Sequence, residues 1–204
     1  EKLLVPLLSK LGSLVIDGGI WLNTQRPEWN DANNALAGHG LSMVTLYYLR
    51  RYVAFLQKLL NEESEAFEIS TEVCEWLSGT TAALEELQPQ LGSEPLNARQ
   101  RQQSMAALGK AASHYQQAVY SDVPFTGKQM VSPDQLQRLF ESALSAIDHC
   151  ITGNQREDRL FHAYNLMNVD ERGVSVEHLY PMLEGQVAAL SAGKLAPEEA
   201  CEVL

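Results

Sequence analysis

A chain of 204 residues, 45% hydrophobic and 20% charged, is long enough for one substantial core and too apolar to be disordered. Fifteen Lys and Arg against 26 Asp and Glu leave a formal charge of −11. That balance argues against nucleic acid and against an anionic membrane surface, both of which are bound through an excess of cationic side chains. Three widely spaced cysteines (Cys74, Cys150 and Cys201) form no CxxC pair and read as free thiols of a reducing compartment, so a cytoplasmic location is expected. No apolar run approaches the ~20 residues of a membrane span.

In chain order, residues 2–14 carry Leu4, Leu7, Leu8, Leu11 and Leu14 at the three-and-four spacing of one helix face. Asp17-Gly18-Gly19 breaks the period, and Ile20, Trp21 and Leu22 lead into a polar stretch. A second helix is expected from Asn33 or Asn34 to about Asn61. Its apolar set, which includes Leu41, Val44, Tyr48, Tyr52, Phe55, Leu56, Leu59 and Leu60, is broad enough to predict burial on most sides. A third helix is predicted over residues 70–87, with Val73, Trp76, Leu77, Thr80, Leu84 and Leu87 inward. The Ala-rich fourth starts at an Asn97 cap and runs to about Val119. Ser132-Pro133 opens a fifth, reaching about Ile151 with Leu136, Leu139, Phe140, Leu144 and Ile147 inward. Residues 159–169 settle on no single period and could pair with Val174 and Val176 as a small hairpin across Asp170–Gly173. A last long helix is expected from about Val176 to Ala192, with Leu179, Met182, Leu183, Val187 and Leu190 in the core. Six or seven helices on short connections predict an all-α domain over residues 1–204, built of stacked antiparallel helical hairpins with at most one small β-hairpin. The chain begins without Met in one apolar-periodic segment and stops in another, so it reads as a piece of a larger protein, whose remainder would be a partner.

The densest chemistry lies in residues 26–36, RPEWNDANNAL. Glu28 and Asp31 supply carboxylates for acid, base or nucleophilic work on a glycosidic bond. Arg26, Asn30, Asn33 and Asn34 offer hydrogen bonds to hydroxyls, and Trp29 offers a flat apolar face for a pyranose ring. The same residues also suit a plain helix start, with Asp31 or Asn33 as cap and acidic groups near the macrodipole. Asp17 and His39 lie near enough in sequence to line the same site.

RPEWNDANNAL followed by GLSMVTLYYLRR resembles the catalytic segment of bacterial (α/α)6-toroid carbohydrate enzymes, in particular the cellobiose-phosphorylase-like glycosidase group. Those enzymes carry an Asp-Trp-Asn-Asp motif whose first acid is the general acid. Glu28, Trp29, Asn30 and Asp31 match it here, with Glu28 standing where the family has Asp. The resemblance implies part of such a toroid, an oligosaccharide or glycoside substrate, cleavage by hydrolysis or phosphorolysis, and no cofactor. A complete toroid has about twice the helices this chain supplies. Glu28 and Asp31 also lie too close in sequence to flank a bond from the ~6.5–9.5 Å separation that inversion needs, so a second group is expected elsewhere. The alternative is a non-catalytic helical interaction module.

Other motifs are weaker. Residues 168–173 begin like a calcium loop, but its twelfth position falls on Leu179, where a bidentate Glu is required. The histidines (His39, His114, His149, His162 and His178) show no metal-ligand spacing, so no metal is expected. His149 and Cys150 are adjacent on a predicted helix and should diverge. Arg50-Arg51 reads as a solvated or capping pair.

Overall fold

The computed structural model describes residues 1–23, 36–121 and 124–204. It overturns the all-α expectation and, with it, the toroid architecture. The described residues are mixed, 56% helical and 16% strand, and their centrepiece is a curled five-stranded antiparallel sheet, a half-barrel. The order of elements is α1 (Leu4–Leu11), β1 (Leu14–Val15), β2 (Gly19–Trp21), β3 (Gly40–Ser42), α2 (Met43–Leu60), β4 (Phe67–Ser70), α3 (Thr71–Leu87), α4 (Ala98–Tyr120), β5 (Lys128–Val131), α5 (Pro133–Gly153), β6 (Tyr164–Asp170), β7 (Gly173–His178), α6 (Leu183–Ser191) and α7 (Pro197–Val203). A single turn of 3-10 helix, Gln88–Gln90, ends α3.

The large sheet runs β1-β2-β3-β6-β7, and every neighbouring pair is antiparallel. The register places Ile20 opposite both Leu14 and Ser42, and Leu41 opposite Asn165. A separate ribbon pairs β4 with β5, Phe67 facing Val131. The hairpin expected across Asp170–Gly173 is present, but as the edge of this larger sheet. Strand β7 carries on to His178, so the last helix starts at Leu183 instead of near Val176.

Each departure has a local cause. The second helix was expected to run unbroken from Asn33 or Asn34. Instead Gly38, at φ +75°, leads into β3, and Ser42 restarts the helix by accepting a hydrogen bond from the Thr45 amide at 2.9 Å. Gly19, at φ +113°, can only be glycine, since a Cβ would come within 2.8 Å of Ser42 O on the next strand. The Asn97 and Ser132 caps form as expected, each closing a capping box with the Gln three residues on.

The main core joins α1, α2, α3 and α5, with Tyr47 and Phe140 among its largest fully buried side chains. The inward set predicted for α3 is buried throughout. The outer face of α2 is not: Tyr48 is 45% exposed, Phe55 54% and Leu59 49%, at positions that share one side of the helix. The surface of α6 is also reversed from expectation. Leu183 and Val187 face out, while Gly185, Ala188 and Ala189 pack inward, where a Cβ on Gly185 would sit 2.9 Å from Ala163 Cβ.

Candidate functional site

Of the residues singled out in the sequence, Arg26, Glu28, Trp29, Asn30, Asp31, Asn33 and Asn34 lie outside the described residues. What the structure gives is their frame. The segment leaves the end of β2 and returns to the start of β3, its paired neighbour. Both ends are tied down: the Leu22 amide donates to Gly40 O at 3.0 Å, and Trp21 Nε1 donates to Gly38 O at 3.1 Å. His39 is exposed at the returning end, and its carbonyl accepts from the Met167 amide on β6 at 2.8 Å.

Asp17 sits at the opposite end of β2, in the β1–β2 turn, at a left-handed φ of +65°. Its carboxylate is buried and held by three donors. His149 Nε2 lies 2.9 Å from Oδ1, while Arg101 Nε and the Leu96 amide each donate to Oδ2 at 2.9 Å. Burial pushes this carboxyl up, but the hydrogen bonds and charges of His149 and Arg101 outweigh it and hold the group below the ordinary aspartate range. It is therefore ionised at neutral pH, and His149 Nε2 is the donor. Arg101 also donates to Val174 O at 3.2 Å, so one guanidinium links α4 to the β1–β2 turn and to β7.

The backbone of Asp17 is engaged as fully. Its amide points at Cys150 Sγ at 3.3 Å, and its carbonyl accepts from Asn154 Nδ2 at 2.7 Å. His149 and Cys150 do diverge on α5, yet both reach the same residue. Burial and the nearby Asp17 charge push the Cys150 thiol up to about 12. From Asn154 the network continues inward. Asn165 Nδ2 donates to Asn154 Oδ1 and to Gly18 O, each at 2.8 Å, and His178 Nδ1 donates to Asn165 Oδ1 at 2.7 Å. His178 stacks on His162 with centroids 3.9 Å apart and planes 5° from parallel. His162 is 9% exposed, and its Nδ1 has no hydrogen-bond partner among the described residues. Burial, the neighbouring His178 and the more distant Arg156 push His162 down to about 4.

A cavity of about 340 Å³ opens beside Asp17 and His149, walled by the 91–95 connection and by Ser145, Asp148 and Thr152. An aspartate orienting an imidazole is the support half of a general-base pair. Among the described residues, however, no hydroxyl or thiol hydrogen-bonds to the other nitrogen of His149, and no group of three or more metal-ligating side chains occurs. As it stands, the cluster clamps the sheet to α4 and α5.

Sequence reasoning singled out Asp17, but for the polar segment and not for this cluster, and missed the roles of Arg101, His149, Asn154, Asn165 and His178. One signal was available: Cys150 and Asn154 continue the inward face of α5 at helical spacing, which makes Asn154 a buried polar group in need of partners. Arg50 is not solvated but does cap a helix: its Nη1 donates to the carbonyl of Ala192, the C-cap residue of α6, at 2.9 Å, while its Nε donates to Asp148 at 2.5 Å. No protein-family model matches this sequence, and no curated protein matches it. Among the described residues no helix is long and apolar enough to cross a membrane.

Proposed function

We propose that this chain acts on a glycosidic bond of an oligosaccharide or glycoside through residues 26–36, with Glu28 as the first candidate for general acid and Asp31 as the second. Trp29 is the platform for a sugar ring, and Arg26, Asn30, Asn33 and Asn34 are the hydroxyl ligands. The observation that carries this reading is the make-up of the segment: two carboxylates, three amides, a guanidinium and an indole within nine residues. Its support in the fold is that both ends are pinned to paired strands, a rigid base from which a loop can present reacting groups. The helical toroid no longer contributes to the argument, which rests on residue chemistry alone. His39, exposed where the segment rejoins the sheet, is a candidate for a further contact. The free thiols Cys74, Cys150 and Cys201 favour a reducing, cytoplasmic setting.

The test is Glu28→Gln in the full-length protein, assayed for release of reducing sugar from neutral glycosides with water or phosphate as acceptor. Losing a general acid lowers kcat by about 10²–10⁴-fold, with the melting temperature unchanged. A variant that turns over at the wild-type rate removes Glu28 from the mechanism.

A second reading, a non-catalytic interaction module, is favoured by the exposed apolar row Tyr48, Phe55 and Leu59 on α2. Under it, Glu28→Gln changes nothing, and replacing Phe55 and Leu59 with Ser weakens association with the remainder of a larger protein.

A further inference from the structure

The polar segment leaves and rejoins the sheet beside one small apolar cluster. Leu22 packs on it at the exit, and Leu36, fully buried, belongs to it at the return. The other members are Ala163 and Tyr164, with Leu179 and Met182 packed against them. This cluster is separate from the main core. Residues 179–182 are in neither helix nor strand, and the Leu179 amide ties them to the sheet by donating to Tyr164 O at 3.2 Å. A satellite cluster under an irregular connection opens at lower cost than a core does.

The stacked imidazoles of His162 and His178 stand where both sides of that cluster begin. His162 directly precedes Ala163, and His178 directly precedes Leu179. With their rings 3.9 Å apart and 5° from parallel, they join the start of β6 to the end of β7. The arrangement suits a neutral His162. Its Nδ1 is buried without a partner among the described residues, so a charged ring would hide an N–H that has no acceptor. Two cations at that spacing would also repel.

The neighbouring elements offer little to offset such a charge. Ahead of β6, Arg156 opposes protonation and Asp158 favours it, and the two are paired with each other at 2.9 Å. From α2, Tyr47 donates its hydroxyl to His162 O at 3.0 Å, and burial keeps that phenol neutral. Asn165 of β6, bonded to His178, and Gln186 of α6, bonded to Phe161, carry no charge.

We propose that this pair is an acid-operated latch on the polar segment: protonating His162 breaks the stack, frees residues 179–182 and loosens the seat of Leu22 and Leu36. The latch stands on this packing; only its effect on turnover rests on the reading of Glu28.

The experiment is amide hydrogen exchange of the full-length chain at pH 7 and pH 5, with rates corrected for their intrinsic dependence on pH. The stacked ring resists protonation down to about 4, while a freed imidazole titrates near 6.5. Opening should therefore be about 10–30-fold more frequent at pH 5, and protection of residues 36–40 and 179–182 should fall by that factor. These residues should exchange ahead of α3, and their rates should hardly respond to dilute urea, as a local opening requires. His162→Phe keeps a stacking ring and removes the titrating one, so the acid response should largely disappear. His162→Asn, a smaller replacement, serves the same purpose beside it. Protection at residues 36–40 that is flat with pH overturns the proposal. So does exchange there that merges with α3 in rate and urea dependence, or an acid response retained in a folded variant. Glu28→Gln reports on the reaction and not on this exchange, so the two readings fail separately.

Discussion

Acidification from pH 7.5 to pH 5 should destabilise this protein through the stacked pair His162–His178. In the folded state His162 is held to about 4, whereas in the unfolded chain it titrates near 6.5. The unfolded state therefore takes up a proton that the folded state refuses. Stability from the neutral ring is complete above about 6.5 and is lost progressively as pH falls toward 4. At about 1.4 kcal/mol per pH unit the full difference is about 3.5 kcal/mol, and at pH 5 it is about 2 kcal/mol. Solvent at the ring edge trims this to about 1–2 kcal/mol. Burial likewise lowers His178, which adds in the same direction. Urea unfolding at a series of pH values reads this out, with an expected fall of about 0.5–1 M in the midpoint between pH 7.5 and 5. His162→Phe removes the titrating group and the unpaired Nδ1 together, so its midpoint should change less over that range. A wild-type midpoint that is flat with pH, or a variant with an unchanged pH slope, would refute the assignment.

Three further outcomes follow from the same structure. Asp17→Asn removes the charge that faces Arg101 and His149 while keeping the side chain's shape. It should destabilise by about 3 kcal/mol in urea unfolding, since a partnerless buried cation is left behind. Gly173→Ala places a Cβ 2.3 Å from Ala98 O at a φ of +126°, and the melting temperature should fall as β7 is driven off the start of α4. Toward a thiol reagent, exposed Cys201 should react at once. Cys150, buried and held near 12, should react only on unfolding.

The helices were legible because their apolar spacing is long and regular, as in α3, whose predicted inward set is buried residue for residue. Strands β1, β2 and β3 were not, because two or three residues cannot display an alternating period. Leu14 and Leu41 read instead as parts of helical stripes, and Ile20 and Trp21 as a lead into the polar stretch. What decides them is non-local: Gly19 admits the backbone of Ser42, and Leu41 finds Asn165 more than a hundred residues later. Tyr48, Phe55 and Leu59 misled in the opposite sense, since apolar character marks a side chain that can be buried and not one that is covered. The polar segment was conspicuous for its composition. The cluster around Asp17 was hidden because its members are spread from position 17 to 178 and are brought together only by the sheet.

That cluster limits how a reaction at residues 26–36 could be completed. An acid at Glu28 needs a second carboxylate facing it across the bond, or an external nucleophile such as phosphate. Asp17 looks available in the sequence, being an acid only eleven positions away. In the fold its two oxygens accept three hydrogen bonds, and its own amide and carbonyl hold Cys150 and Asn154. It also stands at the far end of β2 from the place where the polar segment departs. Drawing its carboxylate toward a substrate would strip Arg101 of its anion and untie α4 from the sheet, at a cost of several kcal/mol. Asp17 is thus a positioning residue for the frame that carries the segment. Since Glu28 and Asp31 are too close in sequence to face each other across a bond, the group that completes the chemistry would be the acceptor itself or a carboxylate from outside residues 26–36.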